Sequence, residues 1–466
     1  MKQRLLTIAF LTVKAAFRFR LVVVLAALLL GVVILLPALI KHDGSARGFA
    51  QIVLTYTLGA ITTLLGFATL WLACGTLARD VEECQMQMVA VKPVARWEIW
   101  LGKWLGIMLL NALLLALSGT AVYVLMQVQA RELTPREQTI LRNEVLVARG
   151  SIKEPLPDHK EAAERLFQER LKKLAPNALD RELLRKQALE QVKWREQLVP
   201  SSHRRIWELN LSRVKSHVRN QPLFLRLKFH TPQTLSMDEP ARAGTFLAQI
   251  LVGKPETPLQ RMLKPMSLAA GTFHEIQIPP NLLDDQGILW VEFRNHNDVP
   301  LLFPLEDGME LLYRESGFAL NFLRGLGIIF CWLGLFAALG LCAASRFSFP
   351  VAAFVCLGLL FIGLSSGTLA TVASEGTYMG IDWNKGQAYH PAVDAVLVPI
   401  FKTLLKLINL VQDFSPIDSL SSGRSISWGQ LAQAFGQITC LMSGILAAVG
   451  IFLFTRRELA TAQGNV

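Results

Sequence analysis

Polar and apolar positions are unevenly spread along the chain, with long runs of Leu, Val, Ile, Ala and Phe on either side of a polar middle section. Six apolar runs, near 21–40, 51–77, 104–127, 318–344, 350–373 and 431–455, could each cross about 30 Å of hydrocarbon as a helix rising about 1.5 Å per residue. A seventh apolar stretch, 392–412, reads differently. Lys402, Lys406, Asn409 and Asp413 recur at helical spacing and give it one polar stripe, as in a helix lying in a membrane interface. Trp383 and Trp428 bracket it and suit the outer headgroup belt or packing against protein.

Between the third and fourth runs the pattern changes twice. From Arg131 to about Gln197 it is helical and charge-laced. Thr134-Pro135-Arg136-Glu137 reads as a capping box with Gly150 as the stop, and Asp158-His159-Lys160-Glu161 and Asn177-Ala178-Leu179-Asp180 open further helices. From His203 the period drops to two. Residues 206–211, 223–229, 246–252, 273–278 and 288–293 read as strands separated by Pro, Gly and Asp turns. The expected fold is a mainly α-helical polytopic membrane protein of six transmembrane helices, with an extracytoplasmic α+β insertion between spans 3 and 4. Its divisions are 1–128, spans 1–3 with a cytoplasmic segment 79–103; 129–202, helical arms; 203–316, a β-sandwich; and 317–466, spans 4–6 with the interfacial helix 392–412.

Composition strengthens the membrane reading. Of 466 residues 52% are hydrophobic and 18% charged, the mean hydropathy is +0.38, and 33 of the 83 charged residues fall between Arg131 and Asn220. A disordered chain, a coiled-coil rod and a simple cytoplasmic enzyme are excluded. The net charge of +11 comes without an RNP motif, a zinc finger or a basic tract interleaved with aromatics, so no nucleic-acid partner is expected. Its placement is an orientation signal. Lys2, Arg4, Lys14, Arg18 and Arg20 precede the first run, while Arg79, Lys92, Arg96, Lys103, Arg346, Arg456 and Arg457 fall in loops that six crossings place inside. Both termini are then cytoplasmic and 129–316 is outside. Counting 392–412 as a span would put Arg456 and Arg457 outside. The first run exceeds a signal-peptide core and Lys41-His42-Asp43-Gly44 follows it without a cleavage site, so it is expected to stay as a helix. The cysteines suggest neither a disulfide framework nor a CxxC site.

The chemistry-bearing motifs are few. No GxxxxGK[ST] loop is present, since Gly253-Lys254 is followed by Pro255, and no GxSxG elbow occurs. The chain is therefore expected not to be an enzyme. His230, His274, Asn295, His296 and Asp298 are scattered without metal-ligand spacing, and no cofactor or metal is expected on this chain. The six runs hold Asn111, Ser/Thr clusters and Arg324 near an outer end, but essentially no Asp, Glu, Lys or His. Ion-coupled transport is thus disfavoured, because a coupling ion needs buried ionisable groups.

Residues 79–103 stand out. Arg79, Asp80, Glu82 and Glu83 start a short amphipathic helix that Lys92-Pro93 ends, and Trp97, Trp100 and Trp104 share a face leading into the third run. An ordinary surface loop is the plain alternative. Arg79-Asp80 through Glu83, then Lys92-Pro93-Val94-Ala95-Arg96-Trp97-Glu98-Ile99 and Gly102-Lys103, resemble the Arg-Asp-x-Glu, Pro-Val-Ser-Arg and Gly-Lys signature of type 2 ABC transporter permeases. Ser348-Phe349-Pro350-Val351 and Phe454-Thr455-Arg456-Arg457-Glu458-Leu459 are also similar to that family. Family members often have Gly-Thr after the glutamate where this chain has Cys84-Gln85. The resemblance covers the spans and leaves out the insertion.

The resemblance implies a bacterial inner-membrane subunit of an exporter-like complex, with Arg79, Asp80, Glu82, Glu83, Lys92, Pro93 and Arg96 coupling it to separate ABC ATPase subunits. ATP and Mg would sit on those partners, and a second permease chain would complete the translocation unit. An envelope ligand or protein at the outer domain is a further expected partner beside the lipid bilayer. Two other readings stand beside export: a mechanotransmitter moving the outer domain without translocating anything, and a membrane-anchored carbohydrate-binding sandwich.

Overall fold

The computed structural model describes residues 2–18, 20–39, 45–83, 94–155, 158–173, 178–219, 221–231, 244–255, 257–258, 260–305, 307–378, 381–382, 387–388 and 391–457. The chain is mostly helical with a separate β region. It divides into two compact units, Met1–Ala148 with Gly317–Val466, and Arg149–Ser316. The helices used below are α1 (Lys2–Arg18), α2 (Leu21–Leu39), α3 (Ala46–Glu82), α4 (Arg96–Gln129), α5 (Pro135–Ile140), α6 (His159–Lys173), α7 (Ala178–Gln197), α8 (Phe318–Ala344), α9 (Phe349–Leu364), α10 (Ser366–Glu375), α11 (Pro391–Gln412) and α12 (Trp428–Arg456).

Among the described residues of the helical unit, α3, α4, α8 and α12 are long and apolar enough to cross a membrane, and the number reaches six if α1 with α2 and α9 with α10 each count as one bent span. The second of these pairs bends by 58°. The bend falls at Ser365, whose Oγ donates back to the Phe361 carbonyl at 2.9 Å, a side-chain bond that competes with the helical ladder. The helix α11 is not among the long apolar ones, and Lys402, Lys406 and Asn409 are exposed on it.

The helices meet through small residues. A Cβ at Gly340 of α8 would lie 2.6 Å from Ala73 Cβ and 3.1 Å from the Leu70 carbonyl of α3, so only glycine permits this approach. Gly102 and Gly106 of α4 likewise meet Ile8, Ala9 and Thr12 of α1. The N-terminal basic stretch is thus an amphipathic helix in its own right, burying Ala9, Thr12 and Ala16 while Arg4, Lys14 and Arg18 are exposed. Phe49, Leu58, Ile61 and Leu65 of α3 join Leu110 and Leu114 of α4 and Ile329 and Leu333 of α8 in one core.

Two details of the sequence reading change. Thr134 accepts from the Glu137 amide, but the Glu137 carboxylate accepts from the Ala46 amide at 2.8 Å, so it caps the start of α3 and not its own helix. Gly150 is not a helix stop. It lies in a strand, where a Cβ would collide with the Tyr313 ring, so the glycine is required by a side chain far along the chain.

The β unit has strands β1 (Val147–Ile152), β2 (Leu198–Val199), β3 (Arg204–Asn210), β4 (Leu223–Leu227), β5 (Thr245–Val252), β6 (Arg261–Met262), β7 (Met266–Ala269), β8 (His274–Ile278), β9 (Ile288–Asn295), β10 (Leu301–Leu302) and β11 (Met309–Gly317). One sheet has the order β1-β11-β4-β8 and a second the order β3-β9-β5-β6, with β7 also on β5. Alternate residues of both enter one core, including Leu225, Ile278 and Leu311 from the first and Trp207, Ile250 and Val291 from the second. Phe303 sits among Trp207, Phe229 and Phe293 with ring centroids 4.9–5.7 Å apart. The charge-laced helices α6 and α7 pack on each other, burying Ala163 and Ala188 and pairing Arg185 with Glu164 at 2.9 Å.

Candidate functional site

The ends of α3 and α4 bring most of the charged residues of 79–103 into one cluster with the ends of α8, α9 and α12. Lys103 is only 7% exposed, because α4 carries it in against α3. It is held by Asp80 Oδ2 at 2.5 Å and by the Thr76 carbonyl at 2.8 Å. A buried ammonium needs such partners, so Asp80 serves first to neutralise Lys103.

The remaining charges stabilise helix ends. Glu82 Oε1 accepts from the Phe349 amide at 2.9 Å and so caps the N-terminus of α9, while the Arg79 guanidinium lies 4.7 Å from the centroid of the Phe349 ring. Arg96 Nη1 donates to the carbonyls of Phe454 (2.7 Å), Thr455 (2.6 Å) and Arg457 (2.9 Å) at the C-terminus of α12. Arg457 in turn donates to the Ala344 carbonyl at 3.0 Å at the end of α8. Burial lowers the Arg457 guanidinium below its ordinary value, and Glu82 opposes that shift. Arg79, Asp80 and Glu82 thus end the long helix α3 instead of starting a short one; Glu82 complements the start of α9, and Arg96 and Arg457 complement the ends of α12 and α8.

Arg79, Asp80, Glu82 and Arg96 are thus brought together, and Glu83 is exposed at the C-cap of α3. Lys92 and Pro93, with Cys84, lie outside the described residues. The tryptophan face leading into α4 packs inward: Trp100 is fully buried and Trp104 Nε1 donates to the Gly334 carbonyl at 3.0 Å, because α8 and α12 cover that face. Glu98 belongs to the run that carries the family resemblance, but the sequence assigns it no role. Its carboxylate accepts from the Ala95 amide at 3.1 Å and so secures the start of α4. The one sequence signal for it is its position three residues into the helix.

Within the bundle, Thr69 Oγ1 donates to Asn111 Oδ1 at 3.0 Å, joining α3 to α4. Near the start of α8, Asn321 pairs with Arg424 and Ile426, and Arg324 donates to the Ile426 carbonyl at 2.7 Å while lying over the Trp428 ring. Arg324 is therefore a brace for the entry to α12. In the β unit, His274 bonds the Ala269 carbonyl and His296 bonds Gln249. Among the described residues no three His, Cys, Asp or Glu side chains converge as a metal site.

No protein-family model, curated protein or solved structure matches the chain.

Proposed function

We propose that the chain is the membrane-spanning permease subunit of an ABC transporter, with six membrane-crossing segments, both termini in the cytoplasm and the β unit outside as a sandwich-like domain. The observation that carries the reading is the cluster at the ends of α3 and α4. Four long apolar helices contain no buried acid or base along their middles among the described residues, so the driving energy has to arrive from another molecule. The polar segment between α3 and α4 starts and ends in ion-paired and capped positions, which suits a lever whose two ends are fixed to separate helices. Arg79, Asp80, Glu82 and Arg96 then hold the frame, and Glu83 with residues 84–93 meets the ATPase. ATP and Mg belong to that partner, and a second permease chain completes the pathway.

Mechanical transmission without translocation is the second reading. It is favoured by the compact β unit, whose own core makes it a suitable moved part. Glu83→Lys, compared with wild type in nanodiscs, tests the coupling role common to both. The account expects weaker ATPase recruitment or uncoupled hydrolysis with insertion intact; unchanged recruitment and unchanged hydrolysis would sink it.

A further inference from the structure

The outer face of the second sheet carries an arrangement that strand pairing alone would disfavour. Arg204 of β3 stands directly opposite Arg294 of β9. Like charges at such positions repel, so an arginine pair needs a reason to be there. Both extend onto one side of the sheet, at the rim of a cleft of about 330 Å3 also lined by Ser202, His203, Asn295 and His296.

The cleft is built from below. Glu292, 2% exposed, accepts from Arg294 Nε at 2.7 Å and from Gln260 Nε2 at 3.0 Å, and pairs with Arg204 Nη1 at 3.7 Å. One buried carboxylate therefore orients two guanidinium groups and leaves an excess positive charge. The arginine side chains remain 57% and 40% exposed, and among the described residues their other N–H groups have no hydrogen-bond partner. The wall is equally fixed. Asn295, 1% exposed, donates through Nδ2 to the carbonyls of Val199, Pro200 and Val299, and its backbone pairs with Ser202 and His203. Ser202 is held at φ +60°, in the left-handed region, which turns the chain at the cleft mouth.

We infer that this cleft binds an oxyanionic ligand of about monosaccharide size, its phosphoryl or carboxylate group gripped between Arg204 and Arg294. Two forks on neighbouring strands match the paired oxygens of such a group, and each can make two parallel charge-assisted hydrogen bonds. The volume lies at the lower end for small-molecule sites of about 300–1,000 Å3. His203 and His296 flank the same opening; His203 Nδ1 donates to the Ser201 carbonyl and His296 Nε2 to Gln249 Oε1, so each neutral ring keeps its second nitrogen as an acceptor for a ligand hydroxyl. Glu292 acts as a positioning residue, since it touches the arginines and not the ligand.

The test uses the full chain in nanodiscs of phosphatidylcholine, with glucose 6-phosphate, glucuronate and glucose titrated separately by calorimetry at low salt. At least one of the two anions is expected to bind with one site per chain and to be weakened by added salt, whereas glucose gives no signal. Whichever anion binds more tightly identifies the group as phosphoryl or carboxylate. Arg204→Gln with Arg294→Gln should weaken binding by about tenfold or more, the loss expected for removing charge-assisted bonds. Arg213→Gln, at an exposed arginine elsewhere in the unit, should leave it within about twofold. Circular dichroism and melting of the double variant confirm that its fold is kept. The inference is overturned if neither anion binds, if glucose binds equally, or if the double variant binds as wild type. Equal weakening by Arg213→Gln would also overturn it, because diffuse charge would then account for the attraction.

Discussion

Arg96 offers the sharpest perturbation, because the family resemblance makes it a docking residue whereas its contacts make it the clamp on the end of α12. Its Nη1 lies 2.6–2.9 Å from three carbonyls, of Phe454, Thr455 and Arg457. One nitrogen has two protons, so these contacts amount to two charge-assisted hydrogen bonds shared among three acceptors. At a partly exposed helix end each is worth about 1.5 kcal/mol, with about 0.3–1 kcal/mol more from the helix dipole. In Arg96→Gln one neutral bond of about 1 kcal/mol can be remade, leaving a loss of about 2–3 kcal/mol. At about 1.4 kcal/mol per factor of ten, the last turn of α12 should open roughly 30- to 140-fold more often. Hydrogen exchange of the peptide covering 450–457, in nanodiscs, reads that ratio directly. Arg96→Lys keeps the charge on a single-point donor and should fall between the two. Unchanged exchange in Arg96→Gln, or Lys and Gln behaving alike, would refute the clamp.

Asp80→Ala leaves Lys103 buried with only the Thr76 carbonyl and should cost about 2–3 kcal/mol in thermal stability, whereas Glu82→Ala removes one helix cap at about 1 kcal/mol; an inverted order would contradict the assigned contacts. Gly340→Val places methyl groups into the contact with Ala73 and should destabilise the helical unit by about 1–3 kcal/mol, read as a lower melting midpoint. In the β unit, burial holds the His230 imidazole below its usual value of 6.5, helped by Lys228 and opposed by Asp307. The unfolded chain then takes up a proton first, so stability is present above about pH 6.5 and is lost as pH falls toward the lower folded value. The melting midpoint of the β unit should drop over that window, and His230→Gln should flatten the drop; an unchanged slope would remove His230 as the cause.

How much of this could be read in the sequence depended on whether the signal was local. The runs 51–77, 104–127 and 318–344 give helices because apolar side chains continue for more than about six turns, yet α3 and α4 extend to Glu82 and back to Arg96. Those extra turns exist because charged residues at their ends find helix termini to cap, a distant event that composition does not show. The strand runs 206–211, 223–229, 246–252, 273–278 and 288–293 lie on strands within a few residues, since alternation records which face is buried. The strands β1 and β11 carried weaker signals. Met309 to Tyr313 is buried at every position and so does not alternate, and Gly150 resembles a helix stop until Tyr313 is placed against it. In the candidate site the residue types and spacing were legible, but their partners were not. Glu82 with Phe349 and Arg96 with Phe454 are separated by more than half the chain, and nothing nearby in sequence points from one to the other.

The central claim, that the segment after α3 engages an ATPase on the cytoplasmic side, is tested most directly through Cys84. In a Cys440→Ala chain, which removes the exposed cysteine of α12, a photo-crosslinker attached to Cys84 in inverted membrane vesicles should join the chain to a subunit carrying a phosphate-binding loop, and the yield should change with Mg-ATP. Labelling of Cys84 by an impermeant maleimide in intact spheroplasts, or efficient labelling in inverted vesicles without any crosslink to such a subunit, would contradict the account.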